Sequence, residues 1–420
     1  MTTAARAAAL ARNAVPASPP TPVELERRYG ARNYDPLRVT LERGEGVYLF
    51  DDQGRRYLDM MSAYSAVSFG HGHPRLVRAL TEQAQRLAVT SRAFHTVRLG
   101  SFLQRLCRIT GMARALPMNT GAEAVETAIK AARKWAYKVK RVPEGKAQVL
   151  VAAGNFAGRT TTIISFSSEA QYRDGFGPYT PGFASVPFGD AAALEAAITP
   201  YTAAFIFEPV QGEAGIIVPP VGYLAAVREI CTRRNVLMIA DEVQTGLGRT
   251  GRVLACDHEG VRPDGLTLGK ALGGGLLPVS AFLAREDVMA QFTPGDHGST
   301  FGGNPLACAV GLASLDLLEE ESLAQRAEAQ GAMLMDRLRA LRHPAIHEIR
   351  GRGLLIGMEV DPAHISARDF CERLMARSIL SKDTHGTVVR IAPPLIISEQ
   401  DVDIAVAAFA AVLQDIGIAA

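Results

Sequence analysis

Val236-Leu237-Met238-Ile239-Ala240-Asp241-Glu242-Val243-Gln244 is the stretch on which the fold turns. Five apolar residues without alternation read as a strand buried on both faces, as in a parallel sheet covered by helices. Asp241 and Glu242 then fall at the C-terminal edge of that sheet, where open α/β folds bind ligands. One acid at a strand end can simply cap the next turn. Two acids followed by Gln244 favour a site.

Moving outward, similar apolar, β-branched runs occur at residues 148–152, 204–207, 266–268 and 279–283. Longer amphipathic stretches at residues 125–139 and 220–234 read as helices. Strands alternating with helices predict a largely parallel α/β sheet in a large domain. A helix is expected to start at Pro74, where proline suits the first position and Leu76, Leu80, Ala84 and Leu87 keep helical spacing. Asn304-Pro305 opens another, running to about Glu320, with a further helix over 323–341 and a strand over 353–360. The expected division is a flexible tail at 1–22, a segment at 23–62 packing on a smaller lobe, a large domain at 63–305 and a smaller α+β domain at 306–420. Residues 23–59 read as short extended pieces and turns, with a hairpin over 47–58.

Downstream of the first strand lies Leu266-Thr267-Leu268-Gly269-Lys270-Ala271-Leu272-Gly273-Gly274-Gly275. A lysine directly after a buried strand is partly desolvated, which lowers its pKa and frees the amine for Schiff-base chemistry. A surface lysine in a glycine-rich turn is the bland alternative, and the flanking hydrophobicity argues against it. Upstream, Asn119-Thr120-Gly121-Ala122-Glu123 has capping-box spacing between Thr120 and Glu123, and Gly121 lets a ligand approach the backbone. Such a helix start can hold an anion, though an ordinary capped helix has the same sequence.

Two other patterns carry less. Gly246-Leu247-Gly248-Arg249-Thr250-Gly251 matches the dinucleotide fingerprint, which would make the chain an NAD-dependent oxidoreductase, but no helical period follows Arg252. Ala271 stands where a P-loop needs Ser or Thr. His71-Gly72-His73 has no third ligand in view, so a turn before Pro74 is expected and no metal.

Composition narrows the remaining classes. The 420 residues are 48% hydrophobic and 21% charged, with 45 basic and 43 acidic side chains, giving a net charge of +2. That balance gives no electrostatic case for nucleic acid or a membrane surface. No apolar run approaches a membrane span. Five scattered cysteines read as reduced thiols of a cytoplasmic protein. The first 22 residues lack acids and carry only Arg6 and Arg12, which reads as a tail rather than a presequence.

Together these sites supply what pyridoxal 5′-phosphate requires: a helix N-terminus for phosphate, an acid for the pyridine nitrogen and a lysine for the aldehyde. Asp241 and Lys270 are the candidate catalytic pair.

At this point a resemblance becomes specific. Asp241-Glu-Val-Gln244-Thr-Gly, Lys270 with its glycines, and Gly298-Ser-Thr300-Phe-Gly-Gly-Asn304-Pro are similar to the class III aminotransferases, within which the ornithine δ-aminotransferase branch is most alike. Similarity runs over about residues 29–398. It implies the type I fold of PLP-dependent transferases and a homodimer with active sites at the interface. It further implies that Gly121 and Ala122 hold the phosphate, with Thr300 reaching it from the neighbouring subunit. Phe156 and Val243 would flank the ring, Gln244 would bond its hydroxyl, and Glu208 would support that network. Tyr34 and Arg159 match positions that grip the α-amino and α-carboxylate groups of ornithine, and Tyr64 the tyrosine associated with ornithine preference. Glu213 would pair with Arg390 until 2-oxoglutarate needs it. The implied reaction converts L-ornithine and 2-oxoglutarate to glutamate 5-semialdehyde and glutamate, in arginine and proline metabolism. N-acetylornithine, 4-aminobutyrate and lysine are the alternative substrates. Ala122, Ala157 and Phe301 depart from residues common at those positions, which bears on pocket size only.

Overall fold

The apolar runs behave as their composition predicts because both sides of the central sheet are covered. The computed structural model describes residues 20–416. The first strands, β1 (Leu41–Glu45), β2 (Tyr48–Asp51) and β3 (Arg56–Asp59), form an antiparallel meander containing the expected hairpin.

Seven strands build the central sheet: β4 (Arg114–Met118), β5 (Gln148–Ala152), β6 (Phe183–Val186), β7 (Thr202–Phe207), β8 (Leu237–Asp241), β9 (Gly265–Leu268) and β10 (Ser280–Ala284). Their order is β4-β10-β9-β8-β7-β5-β6. Pairings from β6 through β9 are parallel, while β10 runs antiparallel to both neighbours. Alternate side chains of one strand enter different cores. Val149, Val151, Ala204, Ile206, Leu237 and Ile239 pack with Val125, Ile129, Ala132 and Trp135 of the helix Gly121–Lys138. Leu150, Ala152, Phe205, Phe207, Met238 and Ala240 join the core that contains Leu224, Val227 and Ile230 of the helix Tyr223–Arg233. Each fully buried Leu, Ile, Val or Phe contributes about 1.5–3 kcal/mol, so neither face tolerates polar alternation.

The last strands are β11 (Ile346–Arg352), β12 (Leu355–Val360), β13 (Ile379–Leu380), β14 (Lys382–Thr384) and β15 (Val388–Ile391). Four make an antiparallel sheet in the order β11-β12-β15-β14. β13 leaves it and pairs in parallel with β3, joining the N-terminal meander to the C-terminal segment. Helices Pro74–Arg86, Pro305–Glu320 and Leu323–Arg339 form where proline starts and apolar spacing predicted them.

One expectation is corrected. Residues 22–29 are not extended: Thr21 and Glu24 make a reciprocal capping box and Pro22 opens a helix, Pro22–Tyr29. That helix buries none of its residues, so it lacks the apolar period that would reveal it. Of the expected tail, residues 1–19 lie outside the described residues. No helix among the described residues is long and apolar enough to cross a membrane.

Candidate active site

Strand ends bring the site together. β8 terminates in Asp241, β9 leads through Gly269 to Lys270, β7 leads to Glu208, and β4 leads to the helix Gly121–Lys138. These residues line one cleft of about 180 Å³ with Ala122, Phe156, Ala157, Gly158, Glu213, Val243 and Gln244.

Lys270 sits in the left-handed region (φ 44°), a conformation that costs a non-glycine residue on the order of 1–3 kcal/mol and is found at functional sites. Part of its side chain opens onto the cleft, yet the surrounding protein desolvates the ammonium. Burial lowers its pKa to about 8, opposed by the carboxylates of Glu213, Glu208 and Asp241. The amine is therefore easier to deprotonate than an ordinary lysine.

Asp241 is buried, and both of its hydrogen bonds fall on Oδ1, from the Val243 N–H (3.1 Å) and the Thr267 hydroxyl (2.9 Å). Oδ2 has no donor among the described residues and belongs to a cleft-lining side chain. Burial raises the Asp241 pKa, opposed by those two donors and by Lys270. A cationic N–H at Oδ2 would relieve that desolvation. Glu242, the second acid, is not in the site. Its carboxylate accepts from Thr245 Oγ1 and from the N–H groups of Ala255 and Cys256 (both 3.0 Å), pinning the following loop.

Glu208 braces the opposite wall, accepting from Phe156 N (2.9 Å) and Gly212 N (3.1 Å). Burial and the Asp241 charge push its pKa up to about 8 against the pull of those donors. Thr120 Oγ1 accepts from Glu123 N (3.2 Å) while Glu123 Oε2 accepts from Thr120 N (3.1 Å), so the expected capping box forms. Gly121 is required by packing: a Cβ there would stand 2.9 Å from Val243 Cγ1, and one at Gly269 3.1 Å from the same atom. Val243 is thereby clasped between two glycines as one wall of a narrow slot. Helix N-terminus, slot, carboxylate oxygen and lysine together fit pyridoxal 5′-phosphate.

Beside the slot lies a second polar group. Arg390, 1% exposed, donates to Glu213 Oε1 at 2.6 Å and to Gln244 Oε1 at 3.2 Å. The Gln244 amide donates to Glu213 Oε1 at 3.4 Å. The guanidinium stands over the Tyr64 ring, 4.9 Å from its centroid. Burial, then Glu213, raises the Tyr64 pKa, and Tyr34 is near enough to add to the effect. Arg390 lowers the Glu213 pKa against burial. Arg159 is exposed and lies 3.6 Å over the Tyr172 ring and 5.7 Å from that of Phe156.

Thus twelve of the predicted side chains or backbones converge here. Tyr34 does not line the cleft and is 80% exposed. Thr300 is also exposed and does not line it, beside Phe301, which is 55% exposed. Sequence reasoning missed Thr267 and Tyr172. Thr267 was detectable as a hydroxyl inside an apolar strand; nothing marked Tyr172. The dinucleotide pattern at Gly246–Gly251 opens no helix and runs instead into a 3-10 turn, Ala255–Glu259. His71 pairs with Asp59 at 2.8 Å, and His73 caps the helix at Pro74 by accepting from Arg75 N at 3.3 Å.

Known proteins bear on this geometry. The aminotransferase class-III family matches residues 29–413. The chain is 53% identical over 384 residues to an ornithine aminotransferase of Brevibacillus brevis, covering 91% of this chain and 96% of that protein. It is 55% identical over 389 residues to one of Bordetella pertussis, covering 93% and 94%. The crystal structure of the ornithine aminotransferase from Toxoplasma gondii, with partial occupancy of PLP at its active site, superposes with a TM-score of 0.92 at 46% identity over 93% of each chain. An acetylornithine aminotransferase from Elizabethkingia anophelis superposes with a TM-score of 0.85 at 45% identity, covering 94% and 98%.

Proposed function

The chain belongs to the class-III aminotransferase family, and from that premise we propose that it is a PLP-dependent ornithine δ-aminotransferase. The observation carrying this reading is that Lys270 and Asp241, with its undonated oxygen, line one cleft, with the Arg390–Glu213 pair and Tyr64 beside them.

When bound, pyridoxal 5′-phosphate supplies a conjugated ring that takes up the electron pair left by loss of a proton from the substrate carbon. Gly121 and Ala122 N–H groups hold its phosphate, Phe156 and Val243 its ring, and Asp241 the proton on its nitrogen. Lys270 would anchor the aldehyde, and its amine is the group that would accept the proton from Cδ of ornithine. A pKa near 8 suits that exchange.

Substrate choice follows from charge. Arg159 and Tyr34 take the α-carboxylate and α-amine of ornithine, which presents the δ-amine to the slot; a planar guanidinium suits the carboxylate. Stacking on Tyr172 leaves the edges of the Arg159 guanidinium free to donate. Glu213 neutralises Arg390 while the cationic substrate enters, because an unpaired buried guanidinium would repel it. When 2-oxoglutarate follows, Arg390 releases Glu213 and binds the α-carboxylate. The products are glutamate 5-semialdehyde, which cyclises, and glutamate.

Thr300 completes the phosphate site from a second copy, consistent with its exposed position, so the working unit is a homodimer. Five free cysteines favour the cytoplasm. L-Ornithine added to the purified holoenzyme should convert the absorption of the aldehyde form to that of the amine form, and 2-oxoglutarate should restore it. Comparable kcat/KM for N-acetylornithine or 4-aminobutyrate would overturn the substrate assignment.

A further inference from the structure

The glycine-rich stretch Gly246–Gly251, which serves no dinucleotide, carries a side chain with an unusual environment. Arg249 is fully buried and has no ion-pair partner among the described residues. Nη1 donates to the carbonyls of Pro393 (2.6 Å) and Leu354 (3.0 Å), and Nη2 to the hydroxyls of Ser68 (3.1 Å) and Ser62 (3.2 Å). Burial outweighs the support of the Asp59 charge, which acts on the guanidinium from beyond ion-pair distance, so a cation held by neutral oxygens is expensive and its fork must fix something worth the cost.

What it touches is the most strained backbone near the site. Ser62, Ala63, Tyr64 and Ser65 have φ of 44°, 48°, 57° and 73°, a complete left-handed turn without glycine. L-residues enter that region singly, so such a run persists only where its surroundings over-determine it. Asp59 Oδ1 accepts from the N–H groups of Met61 (2.9 Å) and Ser62 (2.8 Å) at its start. Ser62 Oγ donates to Ala392 O (2.6 Å), and Ser68 Oγ donates to Ser65 O (3.1 Å) at its end. Arg249 grips both serines, and through Pro393 it also grips the segment that follows Arg390. The turn carries Tyr64, whose ring lies beneath the Arg390 guanidinium.

We propose that Arg249 is a positioning residue for substrate selection: its four-oxygen clamp holds the left-handed turn that places Tyr64 against the Arg390–Glu213 pair. This rests on the reading of Tyr64 as the residue that favours ornithine. The glycines around it are explained by close packing. A Cβ at Gly353 would meet the Thr250 carbonyl carbon at 2.4 Å, and the Arg249 carbonyl accepts from Leu354 N–H at 3.0 Å, so the backbone at 249–250 lies directly on the 353–354 turn whose Leu354 carbonyl accepts from the guanidinium.

The test compares kcat/KM for ornithine with that for 4-aminobutyrate, per cofactor-loaded site, in Arg249→Lys, Tyr64→Ala and the double variant. Lysine keeps the charge and loses the fork. The ornithine preference should fall by a factor of about ten in Arg249→Lys, the worth of a lost charge-assisted hydrogen bond, chiefly through KM for ornithine. It should fall in Tyr64→Ala, and the double variant should show no further drop. An unchanged ratio in Arg249→Lys beside an altered one in Tyr64→Ala, or additive losses in the double variant, overturns this proposal alone. An unchanged ratio in Tyr64→Ala removes the reading of Tyr64 and this proposal with it. Should Arg249→Lys not fold, Ser68→Ala, which deletes one acceptor of the clamp, takes its place: a smaller drop in the same ratio supports the clamp, and none overturns it.

Discussion

At Lys270 burial outweighs the neighbouring carboxylates, and the sign of its pKa shift makes a kinetic prediction. Only the neutral amine attacks the cofactor aldehyde, so capture of PLP by apoenzyme should accelerate with pH and level off near 8. An inflection at the ordinary lysine value of 10.5 would mean that the amine is solvated. Asp241 depends on a hydroxyl set inside the apolar strand β9. Thr267→Val removes one of two donors orienting its carboxylate, and kcat should fall about tenfold with little change in substrate KM; an unaltered kcat would show that Val243 N–H suffices. Lysine and aspartate were legible because each ends an apolar run. Of the two adjacent acids, the chain could not say which faces the cleft. Successive strand residues point to opposite sides, and the end of β8 sends Asp241 inward and Glu242 toward the loop at Ala255.

Elements follow their burial. Strands covered on both faces, such as β5 and β8, are nearly pure apolar runs and were readable within a residue or two. β11 is an edge strand, Ile-His-Glu-Ile-Arg-Gly-Arg, with one buried residue, and it carries no comparable signal. The helix Gly121–Lys138 joins element to site through packing at its first residue. Gly121→Ala would drive a methyl into Val243, 2.9 Å away, and narrow the slot. PLP affinity should weaken by about tenfold, and the melting temperature of the apoprotein should fall as well, because the overpacking is present before any cofactor binds. Equilibrium dialysis measures the first and calorimetry the second. Equal affinity in the variant would remove Val243 as a wall of the slot.

At the scale of the molecule, apolar surface remains where the predicted partner would sit. Phe94, Val97 and Phe301 are 69%, 95% and 55% exposed. The segments bearing Val97 and Phe301 lie close together, since a Cβ at Gly303 would stand 3.0 Å from Leu99 Cδ1. A charge placed there by Val97→Asp should shift sedimentation from dimer to monomer and loosen PLP, because Thr300 would lose its neighbour's phosphate. A native monomer with full activity would end the dimer reading. By itself the sequence determined the α/β class, the capped helix start at Gly121, the lysine after a buried strand and the pair of acids at a strand end. The last three are each written within a dozen consecutive residues, where periodicity and capping act locally, and the class in their alternation along the chain. The pairing of Arg390 with Glu213 across 177 residues came from the family resemblance, and tertiary structure alone decided that Thr267 steadies Asp241 and that Arg249 clamps a left-handed turn. Those contacts are set by how remote segments pack, and remote packing leaves no period in the chain to be read.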